Sequence, residues 1–255
     1  MRWNKHIVFA FGMVFLLLPI ALLLMLAFAT EWRFPDVLPA AYTLDHAKLA
    51  FSGGRGIMSP LILSLGIGAL VSITCVALAL FVSRMIALHP KRNLLLFIAY
   101  LPFVLSPVIY AACVNYYFVL FGWSGTFMGI CIAQSILIFP YNVILFQSHW
   151  NNSMEAYGQL SATLGAGKWQ TWRYVWLPMS KQMMLIALFQ SFIVSWFEFG
   201  LTNFIGAGKV QTLTIRVYQY IGEANIYLAA FSSLILILPP LVLLWINKKF
   251  VLRNY

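Results

Sequence analysis

Acidic residues are scarce: there are six Asp and Glu in 255 residues, and only 9% of the chain is charged. A soluble domain devotes about 25% of its residues to charge because its surface must be solvated. An ordinary globular enzyme, a disordered tail and a coiled coil are therefore excluded. Cysteine is nearly lacking as well. Cys75, Cys113 and Cys131 show no paired or metal-type spacing and read as small packing residues. The four histidines, His6, His46, His89 and His149, lie far apart. No Walker loop, dinucleotide fingerprint, zinc signature or nucleophile elbow is present. The chain thus has no recognisable means of hydrolysing ATP, and no catalytic residue, metal or cofactor is assigned. It contains no linker or low-complexity tract and reads as a single domain over 1–255.

Apolar residues are abundant, at 62% of the chain with a mean hydropathy of +0.88. A hydrocarbon core about 30 Å thick takes about 20 apolar residues of helix. Six stretches qualify: 7–29, 59–82, 94–121, 127–147, 183–205 and 227–247. None alternates as a barrel strand would, and irregular backbone cannot be satisfied in lipid, so all six are expected to be helices. The expected fold class is an all-α polytopic membrane protein with six transmembrane helices. Pro102 and Pro107 make the long third span kink or begin in the interface. Pro19, Pro140 and the Pro239–Pro240 pair are expected to bend their helices. The first span has basic residues before it and an Ala27-Phe28-Ala29 similar to a signal-peptidase site. Its apolar run exceeds the 7–15 residues usual for a signal, so it is read as a retained span.

The net charge of +10 is too scattered for a phosphate-tracking stripe, so no nucleic acid is expected and a bilayer is. With the N-terminus inside, the inner connections receive Arg2, Lys5, Arg84, Lys91, Arg92, Lys168, Arg173, Lys181, Lys248, Lys249 and Arg253. The outer connections receive Arg33, Lys48, Arg55, Lys209 and Arg216, beside Glu31, Asp36, Asp45 and Glu223. This asymmetry of Lys and Arg places both termini in the cytoplasm.

One inner connection, 148–182, is long and patterned. Asn152 followed by Glu155 reads as a helix N-cap with its reciprocal acid. Met154, Tyr157, Leu160 and Leu164 then form a helical stripe, and Gly165 and Gly167 break it. A second short helix carries Trp169, Trp172 and Trp176, with Lys168 and Arg173 free for solvent, and Pro178 is expected to stop it. Two interfacial helices with tryptophans at headgroup level would look like this. So would a docking surface with an apolar stripe and polar rim.

The segment Gly165-x9-Val175-x-Leu177-Pro178 resembles the Gly-x9-Ile/Val-x-Leu-Pro core of permease subunits of binding-protein-dependent type I ABC importers. Leu164-Gly165-Ala166 and Trp169-Gln170-Thr171-Trp172 are similar to the usual wording around it. The opening differs: the family's Glu-Ala-Ala is replaced by Gln159, Leu160 and Ser161, while Glu155-Ala156 lies one turn earlier. Such openings occur in the branch serving thiamine, ferric iron, phosphonates and polyamine-like solutes. The resemblance implies a type I importer permease fold in the bacterial cytoplasmic membrane. It implies cytoplasmic ATPase subunits, a second permease and an extracytoplasmic solute-binding protein as partners. It implies that Tyr157, Gln159, Leu160, Ser161, Leu164, Gly165, Ala166, Trp169, Val175, Leu177 and Pro178 meet the ATPase as a coupling helix.

Glu198 is the one acid inside an expected span, where an ionised group costs a few kcal/mol unless it faces a cavity or partner. Helical spacing puts Ser195, Glu198, Thr202 and Ile205 on one face, with Asn203 adjacent. The run Glu198-Phe199-Gly200-Leu201-Thr202-Asn203-Phe204-Ile205-Gly206 is similar to a fifth-span run of the same importer branch, which implies that Ser195, Glu198, Thr202 and Asn203 border the translocation pathway. A helix–helix hydrogen bond from Glu198 is the other reading. Asn115, Tyr116, Tyr117, Gln134 and Asn142 are weaker lining candidates. The outer connections 31–57 and 206–226, the latter with an amphipathic stretch over 213–221, could meet a binding protein or cap the membrane surface. The rival in another class is a secondary carrier driven by an ion gradient, with Glu198 as its ion site.

Overall fold

A computed structural model of the chain describes residues 3–30, 32, 36, 38–52, 56–104 and 106–251; Arg2, Glu31, Arg33, Arg55 and Arg253 of the charge count lie outside the described residues. The described residues are almost entirely helical, with an isolated antiparallel bridge between Ala29 and Tyr42. The helices run α1 Trp3–Phe28, α2 Asp45–Phe51, α3 Met58–Ala87, α4 Arg92–Val104, α5 Pro107–Leu120, α6 Phe127–Gln147 and α7 Asn152–Thr163. After α8, Lys168–Thr171, comes a π-helical turn, Trp172–Trp176, then α9 Leu177–Trp196, α10 Gly200–Gly206, α11 Leu213–Gly222 and α12 Ile226–Val251.

Among the described residues, five helical stretches are long and apolar enough to cross a bilayer: Ile7–Phe28, Met58–Ala87, Phe127–Gln147, Lys168–Trp196 and Ile226–Lys248. The expected third span is delivered as two shorter helices, α4 and α5. The division falls at Pro107: Ser106 sits at φ −59°, ψ 134°, the extended backbone favoured before a proline, and Pro107 opens α5. Pro19, Pro102, Pro140, Pro239 and Pro240 are instead carried inside their helices. Large apolar side chains lie on the outside, Phe11 and Phe15 at 74% exposure among them. In water such surface would be a liability; against lipid or partner helices it is the expected covering.

Two compact units are present, residues 1–63 with 211–241 and residues 64–210 with 242–255. In the first, Phe231 meets Phe28 and Phe51 edge-on. Tyr227 stacks on His46 at 5.2 Å and its hydroxyl accepts from the Trp32 backbone N–H at 2.8 Å. The helix α2 was not expected from the sequence. Its signal is Thr43-x-Asp45: the Thr43 hydroxyl donates to Asp45 Oδ2 and accepts from the Asp45 N–H. Those contacts, Thr43 first and Lys48 second, hold the Asp45 carboxyl below its usual range. The amphipathic stretch near 213–221 is α11, which buries Leu213, Ile215, Val217 and Tyr220.

The second unit has a core of Val76, Ala79, Leu80 and Ile86 from α3, Val143 and Phe146 from α6 and Ala187 from α9. Helix α6 matches the expected 127–147 because its start is well marked: the Thr126 hydroxyl accepts from the Gly129 N–H as an N-cap.

Candidate functional site

Two places in the second unit carry the residues singled out above. The first is the hairpin that follows α6. Its N-cap is Asn151, whose side chain accepts from the Met154 N–H at 3.1 Å. Asn152 is already the first residue of α7. The expected cap is thus displaced by one residue, because Asn151 is the one in extended backbone, at φ −108°, ψ 175°. Glu155 falls at the fourth helical position and does not close a capping box.

The stripe on α7 also divides. Met154, Gly158 and Ser161, spaced i, i+4, i+7, face inward, with Met154 5% and Ser161 8% exposed. Ser161 Oγ shares a hydrogen bond of 2.9 Å with Thr171 Oγ1. Ser161 therefore fastens one limb of the hairpin to the other. Tyr157, Leu160 and Leu164 form the neighbouring face and are 49%, 57% and 80% exposed; Trp169 across the turn is 71% exposed. Gln159, Gly165, Leu177 and Pro178 are exposed too, and Ala166 and Val175 are half-buried.

Gly165 makes the turn possible. It lies at φ +84°, and its N–H donates to Ala162 O while Ala166 N–H donates to Ser161 O. This is a Schellman C-cap, which demands a left-handed residue at that position. Gly167 then N-caps α8, its N–H donating to Gln170 Oε1 at 2.8 Å.

Pro178 does not stop the second limb. The chain runs helically from Lys168 to Trp196. Pro178 sits in the first turn of α9, and the Leu177 N–H bonds back to Trp172 O, five residues earlier. The wide π turn takes up the clash that a proline ring makes with the preceding turn. The three tryptophans consequently part company: Trp169 is exposed, while Trp172 and Trp176 turn inward.

They turn onto Arg84. The sequence reading ended the second span at Val82 and counted Arg84 only as an orientation charge; α3 in fact continues to Ala87 and carries Arg84 in its last turn. Its guanidinium carbon lies 3.0 Å from the ring centre of Trp176, 5.4 Å from Trp150 and 5.7 Å from Trp172. Phe81 packs on Trp172 at 4.5 Å. Trp150 Nε1 donates to Ser83 Oγ at 2.8 Å, and Gln147 Nε2 donates to Ser83 O at 2.9 Å. At the same junction, His149 Nε2 is 2.8 Å from Ser180 Oγ, and burial pushes the imidazole below its ordinary range.

The second place is the expected fifth span. It is broken: α9 ends at Trp196, α10 starts at Gly200, and Glu198 lies between them. Its carboxylate accepts from the Leu201 N–H at 2.6 Å, the Thr202 N–H at 2.8 Å and the Thr202 hydroxyl at 2.6 Å. Glu198 thus supplies acceptors to the opened backbone of α10, the group that a helix N-terminus in an apolar setting requires. Its three donors come from its own segment, so the expected helix–helix bond is made by its neighbours. Gln134 on α6 donates to Thr202 Oγ1 at 2.9 Å and accepts from Ser195 Oγ at 2.5 Å. Lower down, Asn142 exchanges hydrogen bonds with Ser191 at 2.7 and 3.0 Å.

Ser195, Thr202, Gln134 and Asn142 are each 5% exposed or less. Asn203 stands apart: it is exposed, as are Phe197 and Phe204 on either side. Asn115 accepts from Ser124 at 3.0 Å, and Tyr116 and Tyr117 are exposed on α5. No group of three or more potential metal ligands occurs among the described residues.

A helical chain with apolar membrane-length segments and a glycine-turned hairpin of this pattern defines a membrane transport subunit. Residues 79–253 match the family described as "Binding-protein-dependent transport system inner membrane component", and the chain belongs to that family. It is 25% identical over 249 residues to the putative 2-aminoethylphosphonate transport system permease protein PhnV of Salmonella choleraesuis, covering 92% of each chain. It is 27% identical over 215 residues to the molybdenum transport system permease protein ModB of Haemophilus influenzae, covering 75% of this chain and 94% of that one. In fold it resembles a bacterial ABC transporter involved in import of the acidic polysaccharide alginate, with a TM-score of 0.74 at 12% identity over 98% of this chain and 95% of that chain. A second structure, the alginate transporter with its alginate-bound periplasmic protein, gives 0.70 at 16% identity, over 99% and 94%. The chain is a permease subunit of an ABC importer and a multi-pass inner-membrane protein. Nothing in these likenesses points to an ion-gradient carrier, and the Glu198 carboxylate is already occupied by three donors.

Proposed function

We propose that this chain forms half of a solute pathway and that its 148–182 hairpin docks on a cytoplasmic ATPase subunit. A second permease, identical or paralogous, completes the pathway, and an extracytoplasmic binding protein delivers the solute. Six crossings with both termini in the cytoplasm place the hairpin on the ATPase side; α4 and α5 together supply the third crossing. Nucleotide-driven closure of the ATPase pair would move the hairpin, and the helical bundles would rock between outward-open and inward-open arrangements around a central site.

The observation that carries this reading is the exposed apolar face of Tyr157, Leu160, Leu164 and Trp169, held by a fixed turn at Gly165. An amphipathic helix presenting such anchors fits a groove on a partner. Ser161 supports that face from within and is not itself a contact. In the pathway, Asn203 and the flanking Phe197 and Phe204 offer surface to solute or to the second permease, while Ser195, Glu198 and Thr202 hold the α9–α10 break in shape behind them. The two relatives are named for transport of 2-aminoethylphosphonate and of molybdenum; a phosphonate is an oxyanion, as is molybdenum in its aqueous form, and we take that class as the first to offer in uptake.

The test is reconstitution with the cognate ATPase, second permease and binding protein. Uptake should require ATP and survive an uncoupler, and Leu164→Asp should abolish both uptake and ATPase retention. Uptake that collapses with the uncoupler and ignores the ATPase would overturn the reading.

A further inference from the structure

The Arg84 cluster lies outside the docking face and outside the α9–α10 break, and neither function described above uses it. It joins three parts of the chain: the end of α3, the α6–α7 junction at 147–150, and the π turn of the second hairpin limb. The guanidinium carbon lies over the Trp176 ring, 3.0 Å from its centre, with the Trp150 and Trp172 rings at 5.4 and 5.7 Å. Among the described residues no carboxylate forms an ion pair with it; Glu155, on α7, lines the same open cleft together with Arg92, Asn151 and Met154 and acts on it as a nearby opposite charge. Its contacts are therefore aromatic faces, and a planar guanidinium stacks on these as a lysine ammonium cannot. Helix α7 also approaches Trp176, so closely that a Cβ added to Gly158 would lie 2.8 Å from the indole Cζ2. Trp176 thus meets both Arg84 of α3 and Gly158 of the first limb. Ser83 adds two hydrogen bonds to the junction, from Trp150 and from Gln147.

We propose that Arg84 is a positioning residue for energy coupling: it bolts the hairpin to α3 through Trp176, so that a push on the hairpin moves α3 with it instead of bending the hairpin. This rests on the reading of the hairpin as the ATPase dock. The π turn is where the second limb departs from α geometry, a kind of interruption frequent at functional sites, and it is where such a lever would give. The stack lies directly over it.

The experiment uses the assembled importer in nanodiscs, with spin labels at Tyr174→Cys on the hairpin and Ile73→Cys on α3, both exposed, and with the exposed Cys113 changed to Ser. Electron–electron distances are recorded without nucleotide and after trapping with MgATP and vanadate. With Arg84 present, one narrow distance should persist in both states. Arg84→Ala and Gly158→Ala, the first removing the cation over Trp176 and the second crowding its indole, should each broaden the distribution by about twofold and make its centre move with nucleotide; Arg84→Lys should fall between. A residue that merely stabilises the fold would lower the melting temperature and leave these distances unchanged.

If Arg84→Ala does not assemble, Gly158→Ala carries the test. Narrow, nucleotide-independent distances in every assembled variant would overturn the proposal. Leu164→Asp in the same preparation tests the dock separately: if the ATPase stays bound there, the docking reading fails, while the label pair still reports whether Arg84 holds hairpin and α3 together.

Discussion

The π turn at Trp172–Trp176 and the break at Glu198 are both interruptions of α-helical geometry on the same long segment, yet they handle polar groups in opposite ways. At the break, the buried polar side chains find partners close by: the Glu198 carboxylate takes three donors, and Gln134 bonds both Ser195 and Thr202. At the π turn the backbone stays continuous, and the charged group that meets it comes from another helix and stacks on its rings. The break is thus a feature whose Glu198 carboxylate is satisfied from its own segment, with α6 supplying Gln134. The turn is a joint between separate elements. A polar residue inside a span is weak evidence for a solute site until its partners are known, because lipid obliges every polar group to find one.

The comparison can be broken most directly at Glu198. Glu198→Ala leaves two backbone N–H groups and the Thr202 hydroxyl without their acceptor, and should cost about 3 kcal/mol, since buried donors lose about 1–3 kcal/mol each and some find new partners. Glu198→Gln keeps one acceptor and should cost about half as much. Thermal unfolding in detergent measures both; equal melting temperatures for wild type and Glu198→Ala would show that the carboxylate is not holding the break. On the hairpin, Gly158→Ala is the next largest, about 2 kcal/mol from overpacking against Trp176, and should shift tryptophan fluorescence as well.

Much of the helical layout was legible in advance because it follows from apolar length alone, and α6 was legible to the residue because Thr126 and Gln147 bound it. What could not be read was where a helix yields. Pro107 opens a new helix while Pro140 is carried within α6, so the presence of a proline does not by itself tell the two outcomes apart. Pro178 looked like a stop because the π turn that accommodates it has no local signature. The Asn151–Asn152 ambiguity is settled only by backbone angles. At the site, Tyr157, Leu160 and Leu164 were legible as a stripe, whereas the inward turn of Met154, read as part of it, and of Ser161 was not, since an i, i+3 spacing leaves two faces open; nor was the parting of Trp169 from Trp172 and Trp176. Arg84 was missed because its partners lie 66, 88 and 92 residues away along the chain.

Smaller effects sharpen the contrast further. Gly165→Ala meets no atom within 4 Å but must adopt φ +84°, so it should cost about 1–2 kcal/mol through backbone strain alone. Gly165→Asn should recover part of that loss, as measured by unfolding. At the hairpin base, burial keeps the His149 imidazole below its ordinary value, which is about 6.5 for a free side chain. The unfolded chain then binds the proton first, so stability contributed by neutral His149 is full above about pH 6.5 and falls as the pH drops towards the folded-state value. His149→Gln should flatten the slope of melting temperature between about pH 7.5 and 5.5; an unchanged slope would assign that slope to other groups.

Leu164→Asp should be the mildest for the fold, within about 0.5 kcal/mol, because Leu164 is 80% exposed and touches no core. That mildness makes it the direct test of the docking claim. The chain is co-purified with its cognate ATPase, and the amount retained is compared for wild type and Leu164→Asp at matched melting temperature. The account predicts at least a tenfold loss of bound ATPase, on the scale expected when a charge is placed in an apolar contact. Full retention of the ATPase by a correctly folded Leu164→Asp variant would contradict it.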